Sequence, residues 1–549
     1  MAAGAREAAD ARAGSAAARP AAPGGPPQPR RQRRAARGWL PGAVCVLGPA
    51  LVTLLVTGYQ LGSVSLWRDE AYSIEAASRG IGKIFALLGH TDAVNGAYYL
   101  LLHPVIAVAG ASGAAVRAPS VVAMTVTAAV TAALGRRLAV LAGLPRPALT
   151  GAIAGLFFAA GPLVTRYAQE ARSYAVVTML ATIASYLLVR ALADPRWRWW
   201  AGYGLAVALA GLFNLFALLL VVAHAVTLLL IRARRAAATP PGAPAVTVRP
   251  GRWLAAVAGA GLLLSPLLVL GYHQRHQISW LGRPGLRTVL DLAAAFAGSK
   301  LLVLPVALVA LAGLAAGLAP TLAGAPAVRV PPAAVALPWL AAPPLILLAV
   351  SQVSPVYDGR YVVYCLPALA LLCAAGLAWL ARVAAATPLA ATPGAAWLPA
   401  LVIGVALAAL VTAPQQQVRS ASSRPDNLRK ASALLAARER PGDAVFYLPP
   451  NMRVMGLGYP APFRRLRDVG LARSPVAADN LIGTSVRPAV LAARMAGVTR
   501  VWVVTGSANH RLPKGRTPLE KAELTVAAHW RLAGRWTAGM VGLRLYERP

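Results

Sequence analysis

Acidic residues are scarce in this sequence. Its 549 residues contain 18 Asp and Glu against 54 Lys and Arg, so the formal net charge is +36. Only 13% of the residues are charged, whereas a soluble domain carries roughly a quarter. This shortage of charge excludes an ordinary soluble globular protein.

Cysteine is also rare, and the three cysteines Cys45, Cys365 and Cys373 lie in apolar segments. We interpret them as small buried hydrophobic side chains, since neither a disulfide framework nor a zinc spacing is present. A cleavable signal peptide is not expected either. The first apolar run begins near Trp39 and is too long for a typical signal segment, so it should remain as the first membrane anchor.

The positive charge does not indicate a nucleic-acid partner. The Arg residues are spread through tails and short loops rather than collected on one folded face. Loops of membrane proteins carry orienting positive charge, and an Ala/Arg/Pro/Gly-rich composition adds to the excess. We therefore expect a lipid bilayer, and no nucleic acid, around this chain.

Apolar segments make up most of the first 413 residues, and hydrophobic residues form 58% of the chain. Many of them are long enough to cross about 30 Å of hydrocarbon as a helix. We predict about eleven spans, near residues 41–62, 96–112, 118–136, 148–165, 173–193, 200–231, 253–271, 300–319, 333–351, 361–381 and 396–413. The sixth could be one tilted helix or two short ones broken near Asn214, and we take it as one.

Basic residues beside the first span set the orientation. Residues 1–38 have almost no large apolar side chain and should be a disordered tail. Its Arg30–Arg37 cluster predicts a cytoplasmic N-terminus and an extracytoplasmic loop after Gly62. With eleven spans the basic loop after Ile231 is inside and residues 414–549 are outside, although Arg136 and Arg137 then fall outside against the rule. The expected location is the cell membrane, with many spans.

The texture of the sequence changes after Pro414 to alternating charged and apolar residues. Asp426 is a candidate cap for a helix that runs to about Arg438. Strands are predicted at 444–448, 500–505 and 541–547, with a helix over 519–529. The expected fold is an all-α polytopic membrane domain, residues 39–413, followed by a small extracytoplasmic α/β domain, residues 414–549.

The first extracytoplasmic loop, residues 63–95, contains unusual charges for its position. Arg68, Asp69 and Glu70 directly follow a membrane span, where charges need a physical reason. The apolar residues of 81–88 then recur at helical spacing, which is typical of a helix lying flat in the membrane interface. Asp92 returns a carboxylate to the same side, just before the paired tyrosines Tyr98 and Tyr99.

These segments together resemble the GT-C superfamily of polytopic membrane glycosyltransferases, in particular bacterial protein and lipid mannosyltransferases of an actinobacterial subgroup. The resemblance rests on the Asp69-Glu70 pair, the Asp92 to Tyr99 segment, residues 169–174 (QEARSY) and Gly359-Arg360-Tyr361. One departure is that residues 95–97 (NGA) stand where many relatives have His-Pro-Pro. No histidine role is therefore carried over to this chain.

The resemblance implies transfer of a hexose, with mannose expected, from a polyprenyl-phosphate donor to a cell-envelope glycan, lipid or protein, with inversion. A carboxylate that accepts the proton of the sugar hydroxyl can contribute about 10²–10⁴ in rate. Asp69 is the expected base, and Glu70 and Asp92 remain alternatives. Cations or a divalent metal ion should stabilise the phosphate leaving group; the candidates for substrate binding are Arg68, Arg360, Tyr98 and Lys300.

Other interpretations remain open at this point. The loop carboxylates could be a solvated helix start, and the protein could be a transporter or flippase, or a binder of lipid-linked sugar without turnover. Glu170 and Arg172 form the simplest ion pair closing a span, on the cytoplasmic side by our count, so we leave them out of the catalytic set. His273 and His276 are spaced for one helical face, but a wet loop is the simpler interpretation.

Overall fold

The computed structural model describes residues 42–234, 248–278, 280–316, 330–387, 394–506 and 514–549, together with the helical backbone of 30–41, 235–237 and 317–318. Residues 1–29 of the predicted disordered tail lie outside the described residues. From Arg30 onward the backbone is helical, so the end of the predicted tail belongs to the first helix.

In the N-terminal part of the chain, the regular secondary structure of the described residues is helical, without strands. Its helices are α1 Arg30–Gly58, α2 Arg68–Ala77, α3 Ile81–His90, α4 Gly96–Ala109, α5 Gly113–Ala142, α6 Pro147–Ala160, α7 Pro162–Ala168, α8 Tyr174–Ala193, α9 Trp197–Phe213, α10 Leu219–Ala237, α11 Pro250–His273, α12 Leu286–Ala297, α13 Val303–Leu318, α14 Pro332–Val353, α15 Leu366–Ala385, α16 Leu398–Leu410 and α17 Thr412–Val418.

The C-terminal domain mixes helices and strands. Its elements are α18 Leu428–Ala436, β1 Ala444–Leu448, α19 Met455–Gly458, β2 Arg467–Asp468, β3 Leu471–Arg473, β4 Thr484–Ser485, α20 Pro488–Ala496, β5 Arg500–Thr505, α21 Pro518–His529, β6 Arg531–Ala538 and β7 Val541–Glu547. The main sheet has the order β2-β1-β5-β7-β6. Strand β1 is parallel to its neighbours, and β7 is antiparallel to both of its own.

Seven helical segments of the described residues are long and apolar enough to cross a membrane, or nine if two bent pairs each count as one span. The bends lie between α6 and α7, at 64°, and between α12 and the segment that begins at Lys300, at 81°. The predicted count of eleven is not confirmed by this criterion. A polytopic helical domain followed by a small sheet domain is confirmed.

The predicted span at 96–112 is wrong. Helix α4 has 14 residues, about 21 Å at 1.5 Å per residue, and it packs along α2 and α3, with His103 Nδ1 2.8 Å from the carbonyl oxygen of Ala77. The next helix, α5, begins beside the segment that follows α1. This position is shown by Arg117, which donates to the carbonyl oxygens of Val64 and Ser65 at 3.0 and 3.1 Å. The apolar face of α4 is buried against neighbouring helices and does not cross.

The single helix predicted over 200–231 is also wrong. Helix α9 ends at Phe213, and Asn214 adopts an extended conformation. Its side-chain oxygen accepts a hydrogen bond from the amide of Phe216 at 3.0 Å, so it caps the short 3-10 turn that leads into α10. Asn competes with the helix for backbone hydrogen bonds, which explains the break.

Helix α15 lies at the centre of the membrane part. The span that contains it is 94% buried, although its composition is that of a lipid-facing helix. It meets α13 with almost no side chain between the two backbones. A Cβ atom on Gly313 would lie 2.1 Å from the carbonyl oxygen of Leu372, and one on Gly376 would lie 2.0 Å from that of Val309. Small residues permit such close helix packing in a membrane.

The C-terminal domain confirms three predicted strands and adds one. Strands β1, β5 and β7 match the predicted ranges, and α21 matches the predicted helix within a residue. Strand β6 was not predicted, because its alternation includes Gly534 and two exposed arginines. The prediction that Asp426 caps this helix is wrong. The side chain of Asn427 accepts the hydrogen bond from the amide of Lys430 at 3.0 Å, and Asp426 forms an ion pair with Arg68.

We predict that Gly376→Val destabilises the membrane domain by about 1–3 kcal/mol, because the added methyl groups overlap the α13 backbone and force the helices apart. Thermal unfolding of the purified protein in detergent would measure the loss. Gly404→Val in α16 is the matched control, since a Cβ atom there meets no atom within 4 Å. Equal melting temperatures of the two variants would contradict the close packing of α13 and α15.

Candidate active site

Helix α2 orients the two carboxylates of the loop in different directions. It begins at Arg68 after the extended residue Trp67, with Asp69 and Glu70 in its first turn. Negative charge is favourable at a helix N-terminus, and Glu70 Oε2 also accepts a hydrogen bond from the amide of Trp67 at 3.3 Å. Successive helical residues point about 100° apart, so Asp69 and Glu70 face different neighbours.

Glu70 is buried and its two oxygens are occupied. Its side chain is fully shielded from solvent and forms two hydrogen bonds with Arg117, Nε to Oε1 and Nη2 to Oε2, both at 2.7 Å. Burial alone would raise the pKa of Glu70, but the charge and hydrogen bonds of Arg117 outweigh it and hold the pKa below its usual value. Glu70 is therefore a buried structural anion in this structure, without a free oxygen for a substrate.

The segment 169–174 lies beside α2, and our placement of it on the cytoplasmic side, opposite the loop, is wrong. The amide of Ala171 donates to Glu70 Oε1 at 3.0 Å. The side chain of Gln169 donates to the carbonyl oxygens of Thr57 and Tyr59, at the end of α1, at 2.9 and 2.8 Å. The parity count failed because it included α4 as a span.

Arg172 is the residue that this error removed from the candidate set. Burial lowers its pKa, but the groups around it, Tyr174, Asp69, Tyr99 and Asp92, more than offset burial and hold the pKa well above the usual value. The guanidinium is thus within electrostatic reach of both candidate carboxylates. The QEARSY motif in the sequence was the signal that could have identified it.

Asp69 is held at one oxygen and free at the other. Its Oδ2 accepts a hydrogen bond from Nη1 of Arg360 at 2.7 Å, and 22% of its side chain is exposed. Among the described residues, no hydrogen-bond donor contacts Oδ1. A carboxylate in this state is fixed in orientation and can still accept a proton.

Arg360 is bound on several sides. Besides Asp69 it forms an ion pair with Asp358, at 3.0 Å from Nε to Oδ2. Its guanidinium carbon lies 5.9 Å from the ring centroids of Tyr174 and Trp280 and 5.7 Å from that of Tyr361. Aromatic faces stabilise a cation with little competing hydration. Among the described residues, Nη2 of Arg360 has no hydrogen-bond partner, so this nitrogen could donate to an anion.

Asp92 is held by local hydrogen bonds. Its backbone is left-handed, with φ of 63°, and its oxygens accept hydrogen bonds from the side-chain amide of Asn95, at 2.7 Å, and from the hydroxyl of Tyr99. The side-chain amide of Asn95 thus fixes the carboxylate of Asp92. Gln274 of the loop after α11 accepts a hydrogen bond from the next amide, Ala93, at 2.9 Å.

The other predicted substrate contacts lie apart from one another. Arg68 pairs with Asp426 of the C-terminal domain at 3.1 Å. Tyr98 is 1% exposed and lies in the core between α2 and α5. Lys300 is exposed at the bend before α13, outside the hydrogen-bonded cluster of Asp69 and Arg360.

The described residues do not form a metal site. No group of three or more His, Cys, Asp or Glu side chains among them could hold an ion. His273 and His276 are exposed, both oxygens of Glu70 are bound to Arg117, and both oxygens of Asp92 accept hydrogen bonds. The described residues therefore do not fit the divalent metal ion that the sequence suggested.

Comparison with known proteins finds one sequence model and several solved structures that are similar to this chain. The sequence model described as dolichyl-phosphate-mannose-protein mannosyltransferase matches residues 97–248. No curated protein matches the sequence significantly. The described fold resembles crystal structures of ArnT from Cupriavidus metallidurans, in the apo state and bound to undecaprenyl phosphate, at 13% and 14% identity and a TM-score of 0.53 for each; each match covers 93% of this chain and 98% of ArnT.

A weaker structural match is the oligosaccharyltransferase of Archaeoglobus fulgidus, at 12% identity and a TM-score of 0.46, covering 84% of this chain and 67% of that one. The likeness to ArnT shows the fold alone, and the mannosyltransferase model matches less than a third of the chain. The predicted resemblance to the GT-C superfamily is confirmed.

We predict that Arg117→Met destabilises the protein by about 3–5 kcal/mol, because it leaves the carboxylate of Glu70 buried without a cation. The double variant Glu70→Gln/Arg117→Met should recover part of this loss. Arg196→Met is the control: its ion pair with Asp194 is mostly exposed, at 61% and 35%, and such pairs contribute at most about 1 kcal/mol. If the stability losses of Glu70→Gln and Arg117→Met simply add in the double variant, in chemical or thermal unfolding, the two residues are not coupled.

Proposed function

We propose that this protein transfers a hexose, with mannose as the expected sugar, from a polyprenyl-phosphate carrier to a cell-envelope acceptor. The observation that carries the proposal is the carboxylate of Asp69, which Arg360 holds at Oδ2 and which has no donor at Oδ1 among the described residues. The family match supports the mannosyl group and the lipid-phosphate donor. The ArnT structure with undecaprenyl phosphate supports a polyprenyl carrier for a protein of this fold.

In this proposal, Asp69 is the general base. Its Oδ1 accepts the proton of the acceptor hydroxyl as that oxygen bonds to the anomeric carbon of the sugar. The bond from that carbon to the phosphate oxygen breaks in the same step, so the configuration inverts and the polyprenyl phosphate leaves as an anion. The proton ends on Asp69, and no covalent glycosyl-enzyme forms.

The leaving phosphate is stabilised by fixed cations. Arg360 is bound to Asp69, Arg68 directly precedes Asp69 in α2, and Arg172 lies within electrostatic reach of Asp69. Oriented cations at a partly dry site stabilise charge that develops in the transition state without further reorganisation. Arginine suits phosphate because its planar guanidinium can donate two parallel hydrogen bonds.

The donor phosphate and Asp69 share one partner, Arg360. A phosphate that binds the guanidinium draws it away from Oδ2, which leaves the carboxylate freer to accept a proton. The amphipathic helix α3, with Ile81 and Phe85 exposed, fits a position against the membrane surface, where a polyprenyl chain stays in the lipid and its head group reaches α2. We place this side, with the C-terminal domain, outside the cell.

We predict that Asp69→Asn lowers the rate of sugar transfer by about 100-fold or more, because an amide cannot accept the proton. The measurement is transfer of radiolabel from polyprenyl-phosphate mannose to membrane acceptors by the purified protein in lipid. Asp291→Asn, at a mostly exposed carboxylate of α12, is the matched control and should keep wild-type activity.

Two results would overturn parts of this assignment. A folded Asp69→Asn variant with wild-type activity would exclude Asp69 as the base and favour Asp92. A wild-type protein that transfers nothing from mannose or other lipid-linked sugars would contradict glycosyl transfer itself.

A further inference from the structure

Helix α2 lies between the two domains. On one side, Glu70 is buried against Arg117 of the membrane part. On the other side, Ala71 is fully buried in the hydrophobic core of the C-terminal domain, among residues of α18, α19 and the main sheet. The hydroxyl of Tyr72 donates to the carbonyl oxygen of Asn451 at 3.1 Å, inside that domain. The helix that presents Asp69 is thus completed by the C-terminal domain.

Asp426 reaches α2 from a position that the sheet of the C-terminal domain determines. Its backbone forms a bridge with Gly539 at the β6–β7 turn. On either side of it, the amide of Met540 donates to the carbonyl oxygen of Pro425 at 2.8 Å, and the amide of Asn427 donates to that of Ala538 at 3.3 Å. These backbone hydrogen bonds fix the position from which the side chain of Asp426 extends toward α2.

The carboxylate of Asp426 is almost completely buried and its ion-pair partner is Arg68. The side chain is 1% exposed, and Oδ1 accepts a hydrogen bond from Nη2 of Arg68 at 3.1 Å. Among the described residues, Oδ2 has no hydrogen-bond partner. Arg68 itself is 31% exposed. Its Nη2 is held by Asp426, and its Nε is buried without a hydrogen-bond partner among the described residues.

Four charged side chains lie near Tyr72 of α2. The hydroxyl of Tyr72 is within electrostatic reach of Arg68, Asp69, Asp92 and Asp426. Arg68 and Asp69 are also neighbours in the first turn of α2. Without Asp426, the long side chain of Arg68 could adopt many rotamers or pair with Asp69. With Asp426 in place, one orientation is favoured.

We propose that Asp426 is a positioning residue of the active site: it orients the guanidinium of Arg68 toward the phosphate of the lipid-linked donor. The C-terminal domain is then a required part of the donor site, in addition to any contact it makes with the acceptor. This inference rests on the proposed function, since it takes a polyprenyl phosphate as the ligand.

Binding of undecaprenyl phosphate to the full-length protein in lipid nanodiscs tests the inference without turnover. We expect Asp426→Asn and Arg68→Gln each to weaken binding about tenfold, and the double variant to bind no more weakly than Arg68→Gln, because Asp426 acts through Arg68. Asp479→Asn is the matched control. This substitution removes the ion pair of Asp479 with Lys83 of α3, in which the two side chains are 27% and 51% exposed. The variant should bind as the wild type does.

The outcomes separate the two proposals. If the wild type does not bind undecaprenyl phosphate, the proposed function fails. If it binds and Asp426→Asn binds equally well, or if the losses of the two single variants add in the double variant, the positioning role of Asp426 is wrong while the function stands. Should Asp426→Asn fail to fold, Arg68→Gln decides, because unchanged binding by that variant excludes Arg68 as the phosphate contact.

Discussion

The buried ion pair of Glu70 and Arg117 is the interaction on which the site depends. Arg117 binds the carbonyl oxygens of the segment after α1 as well as Glu70, and Glu70 binds the amide of Ala171. One pair therefore joins the start of α2, the start of α5 and the loop before α8. A buried pair contributes little net stability compared with apolar packing, but it tolerates only one arrangement of its partners. That arrangement turns Asp69 toward Arg360 and brings Arg172 near both.

Hydropathy predicted the fold class and misplaced two of its helices. Helix α4 and the segment around Asn214 show why: an apolar run reports that a helix is buried, and it does not report whether the helix crosses the bilayer or lies along another helix. The first error adds one crossing and the second removes one. The two errors cancel for every element after α10. Residues 113–213, including Arg136 and Arg137 of α5, were therefore assigned to the wrong side relative to the first loop.

Local motifs identified the carboxylates of the site, but not their partners. Asp69 and Arg360 are 291 positions apart, and no spacing rule connects residues across such a distance. Arg117 gave no signal, since a single cation inside an apolar run resembles an anchor at the membrane interface. The different directions of Asp69 and Glu70, in contrast, follow from helix geometry, because successive residues of a helix point about 100° apart.

The scarcity of acidic residues is itself part of the site's chemistry. Of the 18 Asp and Glu residues of the chain, Asp69, Glu70 and Glu75 lie in α2, and Asp92, Glu170 and Asp426 lie close to it. Other arginines there are satisfied by carbonyl oxygens: Arg429 donates to Ser63 and Gly62 at 2.7 and 2.8 Å, and Arg424 to Gln169 at 2.9 Å. Carbonyl oxygens satisfy hydrogen bonds without cancelling charge, so these two arginines add positive potential around α2, and in the proposed function this potential favours the anionic head group of the donor.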